Sequence, residues 1–113
     1  MDAIDALVGN HAFFTEHFVV APERAIPDVP EIALLRSVLE RGIEDLFYTS
    51  KVDPGTAAKI RRDAKKWILA NDYEDAVSFV TICDVLNLDI RHLRNRLLDM
   101  MSKGEFLVIE RED

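Results

Sequence analysis

A mainly α-helical fold is what this 113-residue sequence predicts: a small helical bundle containing a helix-turn-helix, with one short β-strand near the C-terminus. Three observations predict it. Apolar residues recur every three or four positions over residues 32–46 and again over 57–68, the spacing that gives a helix one greasy stripe. Two shorter apolar sets within residues 79–98 meet at a polar hinge, as two helices crossing at a tight turn require. The run EFLVIE at residues 105–110 is apolar with a β-branched pair and reads as a strand.

The bulk numbers set the frame. An apolar fraction of 49% and a charged fraction of 31% describe an ordinary soluble domain, and the length suits one core. No run approaches the roughly 18 apolar residues of a membrane span, and the first residues lack the basic start and apolar stretch of a signal peptide. The expectation is a cytoplasmic protein without a membrane segment. Cys83 is the only cysteine, so no internal disulfide forms, and it falls at a small inward position rather than in a reactive setting.

Residues 1–30 are expected to form an N-terminal arm and connector. The opening MDAIDALVGNHAFFTEHFVV reads as a short helix followed by an extended piece at Phe18, Val19 and Val20, after which Pro22, Pro27 and Pro30 break regular structure. Residues 31–104 are expected to form the helical domain. Its first helix, over 31–47, has Ile32, Leu35, Val38, Leu39, Ile43 and Leu46 inward, slightly weakened by Gly42. Asp53-Pro54 restarts the chain as an N-cap followed by proline at the first helical position, where its missing N–H costs nothing. The second helix should reach about Ala70, with Ala57, Ala58, Ile60, Ala64, Trp67 and Ile68 inward and Trp67 a core anchor. A polar loop over 71–75 follows. Residues 105–113 are the strand and an acidic tail. A lone strand needs a partner, either the extended piece at 18–20 or the same strand of a second subunit, and the sequence leaves both open.

Counting Phe79 as the first position of the helix-turn-helix puts Ile82 and Cys83 at four and five and Leu86 at eight. Leu88, Leu93 and Leu97 then stand at ten, fifteen and nineteen, all inward positions. Asn87 occupies the turn, where asparagine tolerates the left-handed backbone usually supplied by glycine. Ser78 and Asp89 are the expected N-caps of the two helices, and Gly104 the stop of the second.

Enzymatic machinery is hard to assemble from these residues. His11, His17 and His92 share no metal-ligand spacing, glycines 9, 42, 55 and 104 make no phosphate loop, and no nucleophile elbow occurs. The expectation is a non-enzyme with no metal and no cofactor. Charge narrows the partners. The total is −7; residues 1–60 carry ten acids and five bases, whereas 61–104 carry eight bases and seven acids, and 105–113 add −3. Bases therefore gather around the motif, and any contact with DNA must be local and salt-sensitive.

With Ile90, Leu93 and Leu97 inward, Arg91, Arg94 and Asn95 are expected to project from the second motif helix. Arginine can donate two bonds to guanine, and asparagine can pair donor and acceptor with adenine. Arg61, Arg62, Lys65 and Lys66 are candidates for flanking phosphates, with Arg96 and Lys103 as lesser ones. The plainer explanation of such i, i+4 basic rows is a solvated face, and Asp89 and Asp99 stand close enough to repel phosphate.

The pattern of Trp67, Ser78-Phe79, Ile82-Cys83, Leu86, Leu88-Asp89, Leu93-Arg94 and Leu97 resembles a group of short bacterial and phage proteins that share a W…SF..(I/V)C..L.LD...R..L segment. That resemblance covers roughly residues 32–98 and implies one folded helical unit, with no activity attached. More distantly the segment is similar to the helix-turn-helix of transcription regulators, which implies base reading by Arg91, Arg94 and Asn95. Asn87 in place of glycine, Cys83 in place of alanine and the acidic total depart from that pattern. The expected function is a sequence-selective regulator that binds double-stranded DNA, acting as a homodimer because one short recognition helix buries too little surface alone. The rival is an acidic protein-interaction module, such as a phage-type inhibitor of a host factor, that binds no DNA.

Overall fold

The computed structural model describes residues 18–21 and 23–104 in full, and residues 107–108 in their backbone. The short helix expected at the start of the chain, His11 and His17, Pro22 and the acidic tail lie outside the described residues. The remainder is a small, mainly helical bundle of four helices.

Helix α1 spans Pro30–Leu46. Pro30 opens it because its ring holds φ near the helical value where no N–H partner is needed, and its inner stripe buries Leu39, Ile43 and Leu46. Phe47, fully buried, turns the chain into a two-residue strand, β1, Tyr48–Thr49. Helix α2 follows at Pro54–Leu69. Its cap is Asp53, whose carboxylate accepts from the Thr56 amide at 3.1 Å and the Thr56 hydroxyl at 2.7 Å. Those two bonds favour the charged carboxylate and hold the Asp53 pKa below its ordinary value.

Helix α2 meets α1 at Gly42 through the ring of Trp67. A Cβ built there would overlap the six-membered ring of Trp67, lying 2.9 Å from both Cε3 and Cη2. The missing side chain is the space in which the indole sits, so Gly42 weakens α1 locally and permits the packing of α2. Trp67 continues inward, with its ring edge-on to Phe79 at 5.6 Å and its Nε1 donating to the Val77 carbonyl at 3.1 Å.

Helix α3, Phe79–Val85, is capped by Ser78, whose Oγ accepts from the Thr81 amide and donates to the Asp72 carbonyl. Helix α4, Ile90–Ser102, is capped by Asp89. Between them Asn87 takes φ 60, the left-handed conformation expected of this residue. From α3 the core receives Phe79, Val80, Ile82 and Cys83, and from α4 Leu93, Leu97 and Met100. Val80 is buried although it stands outside the inward positions of the motif.

Two features depart from expectation. The strand β2, described at Leu107–Val108, pairs in parallel with β1, Tyr48 opposite Leu107 and Thr49 opposite Val108. Within the chain the partner is β1 and not residues 18–20. A two-residue strand carries too little alternation to be seen in sequence, which is why β1 is invisible there. The second departure is Phe18, which lies upstream of the expected helical domain yet is only 2% exposed and belongs to the core.

Candidate nucleic-acid interface

The α3–α4 corner is built from three parts: its own turn, a segment from far upstream, and two arginines that close helix ends. Residues 18–21 lie across the turn. Val19 forms an antiparallel bridge with Leu88, the Asp89 amide donates to the Phe18 carbonyl at 2.6 Å, and the Val20 amide donates to the Asn87 carbonyl at 3.0 Å. Asn87 is buried, and its Nδ2 donates to the Ala21 carbonyl at 2.6 Å, which gives a buried donor a partner on the upstream segment. Phe18 also stacks at a tilt on His92, 4.8 Å between ring centroids.

The arginines act at helix C-termini, where unpaired carbonyls and the helix dipole favour a cation. Of the two helices concerned, α3 has no basic residue in its own last turn and α2 has Lys66. Arg24 reaches α3 from the upstream segment and donates through Nη2 to the carbonyls of Asp84 at 2.7 Å and Val85 at 3.1 Å. Arg94 does the same for α2. Its Nε donates to Ile68 O at 2.9 Å, and its Nη2 to Ala70 O at 3.4 Å and Asn71 Oδ1 at 3.0 Å. The guanidinium carbon lies 5.6 Å from the Phe79 ring centroid, adding a cation–π contact.

The helical projection puts Arg94 on the outer ridge of α4, and the structure turns it inward instead. The reason is geometric: it lies one residue after buried Leu93, on the flank of α4 that faces the end of α2. Arg61 is corrected in the same way. In place of facing phosphate, it is half-buried and donates from Nη1 to the Tyr48 carbonyl at 2.7 Å, holding β1 against α2. The other candidates stay outside. Arg91 and Asn95 are exposed on α4, one turn apart, and Arg62, Lys65 and Lys66 lie on the outer side of α2. Arg96 and Lys103 are exposed too, but both approach Asp99, at 3.9 and 3.0 Å. Such exposed pairs are weak and exchange readily for a phosphate partner.

The loop before α3 presents the opposite charge. Asp72 accepts from the amides of Glu74 and Asp75, and Asp75 from that of Val77, which fixes two exposed carboxylates before the start of α3, with exposed Glu74 between them. Sequence reasoning does not find Arg24, Phe18 and Asn87 Nδ2 as builders of this corner. Only the apolar pair Phe18-Val19 signals that the upstream segment has somewhere to go.

Cys83 is fully buried, and that burial pushes its thiol up to about 12 despite the opposing influence of Arg94. It is a small core residue. Among the described residues, no three histidine, cysteine, aspartate or glutamate side chains converge to hold a metal ion, and no helix is long and apolar enough to cross a membrane. Comparison with protein-family models, curated proteins and solved structures gives no match.

Proposed function

We propose that the protein is a sequence-selective DNA-binding regulator in which α3 and α4 act as a helix-turn-helix and α4 enters a major groove. The observation that carries this reading is the exposed ridge of Arg91 and Asn95, one helical turn apart, above a core-anchored face of Leu93, Leu97 and Met100. The left-handed Asn87 between the helices is the second support. Base contacts are assigned to Arg91 and Asn95. Arg94 leaves that set because its guanidinium closes α2, and Arg61 leaves the phosphate set because it holds β1. Arg62, Lys65 and Lys66 remain for phosphates. A dimer supplies the surface that one short helix lacks.

A selection of genomic fragments followed by mobility-shift titration tests the proposal. Arg91→Ala and Asn95→Ala each lose about 1–3 kcal/mol of discrimination between the selected site and unrelated duplex. Joint replacement of Lys65 and Lys66 by alanine weakens binding to all duplexes and lowers the salt slope by about one for each phosphate no longer neutralised. A ridge variant that binds every duplex as the parent does defeats the assignment.

A second reading is favoured by the fixed carboxylates of Asp72 and Asp75 and the exposed Glu74 between them, which precede α3, and by the net charge of −7. In it the bundle is an acidic scaffold that binds a basic protein partner. Indifference to DNA and heparin at low salt, combined with capture of such a partner that is abolished by neutralising those three carboxylates, selects this reading over the first.

A further inference from the structure

We propose that the cleft between α1 and α2 is a binding site for a small aromatic cation, independent of the nucleic-acid reading and of the α4 ridge. The cleft has a volume of about 530 Å³, inside the roughly 300–1,000 Å³ usual for small-molecule sites. Its floor is apolar, formed by Val38 from α1 and by Ile60 and Trp67 from α2, beside the contact of the indole with Gly42. A flat apolar group displaces water from such a floor without leaving polar atoms unpaired.

The rim decides the charge of the occupant. Asp45 and Asp63 line the cleft from the two helices, and Arg41 is the cation beside them. Arg41 lies 3.6 Å from Asp45. Asp63 is exposed and makes no salt bridge among the described residues, and the charged residues that line the cleft, Arg41, Asp45 and Asp63, carry a net charge of one negative beside an indole ring. An ammonium group set at that rim gains from the carboxylate and from any face of Trp67 it meets, whereas an anion is repelled.

Trp67 is the only tryptophan in the chain, so its emission reports on the cleft directly. Three probes of one shape separate the contributions: phenethylammonium, neutral 2-phenylethanol and anionic phenylacetate. All are titrated against the full chain. The expected result is a saturable change in Trp67 emission with affinity falling in that order, the cation binding about two- to five-fold tighter than the alcohol. Asp63→Asn, at an exposed position, brings the cation down to the affinity of the alcohol and leaves alcohol binding unchanged. Ser37→Phe, at the exposed mouth, reduces binding of both by ten-fold or more, with helix content by circular dichroism equal to the parent's. Failure of all three probes to saturate up to millimolar concentration overturns the proposal. So does a cation preference that survives Asp63→Asn, or full binding in the Ser37→Phe variant.

Discussion

Two helix junctions of this molecule, α1 with α2 and α3 with α4, are made in opposite ways. Where α1 meets α2 the contact is apolar and incomplete: a glycine receives a tryptophan ring, and a hollow remains beside it. Where α3 meets α4 the contact is laced by backbone bonds from residues 18–20, by Asn87 Nδ2 and by Arg24 at the end of α3. The difference teaches what each kind of contact provides. Apolar side chains fill space only as well as their shapes allow, so a junction made from them alone can keep a cavity. Directional bonds specify one backbone path, and a corner held by them presents its outer ridge at a fixed angle.

Phe79 belongs to both junctions, touching Trp67 with one side of its ring and lying under Arg94 with another. Its replacement by alanine therefore breaks the comparison outright, with an expected loss of about 3–5 kcal/mol in urea denaturation. Arg94→Ala removes the hydrogen bonds at the end of α2 and leaves those carbonyls without their cation, at an expected cost of about 1.5–3 kcal/mol. Arg91→Ala, three residues earlier on the exposed side, is its control and should stay within about 0.5 kcal/mol of the parent. Equal losses from the two arginines would show that Arg94 is not the closing group the geometry makes it.

Between those magnitudes lies the pH response of the corner's core. The thiol of Cys83 stays protonated in the folded chain up to about 12, whereas in the unfolded chain it ionises near its ordinary value of 9.0. Above that lower value the unfolded chain holds fewer protons than the folded one, so stability falls as pH rises, by about 1.4 kcal/mol per unit until the folded thiol also ionises. Cys83→Ala should flatten this alkaline slope. Below about pH 8 the thiol makes no contribution to the slope, and native protein should resist thiol reagents until it unfolds. The smallest effect expected within a junction is that of Gly42→Ala between α1 and α2. The overlap with Trp67 destabilises by about 1 kcal/mol or more, while better helix propensity returns a part of it. A Trp67 emission shift accompanies that change.

Much of this is legible in sequence because it is local. Helix periodicity places α1 and α2 to within a residue or two, and Asp53, Ser78 and Asp89 cap the helices they are expected to cap. Asn87 stands out because few residues tolerate its backbone. What is not legible depends on distant partners. Arg61 and Arg94 look like their exposed neighbours in any helical projection, since a position on the flank of a helix turns in or out according to what lies beside it. The carbonyls that turn them inward belong to Tyr48, Ile68 and Ala70. Gly42 reads as a weak helix residue because its role is to leave room where Trp67 sits. Strand β1 is hidden by its length, and Phe18 by the prolines that follow it.

The lacing of residues 18–21 over Asn87 and Asp89 joins groups as much as seventy-one positions apart in the chain, Phe18 to Asp89. During synthesis α3 and α4 are made long after Phe18, and their corner can close only when the older segment is still free to meet it. A fragment that begins at Glu31 retains all four helices except their first proline, yet its Asp89 amide and Asn87 carbonyl face water in place of protein. Slower amide hydrogen exchange at Asp89 in the whole chain than in that fragment would mark the upstream residues as the last closure of the fold.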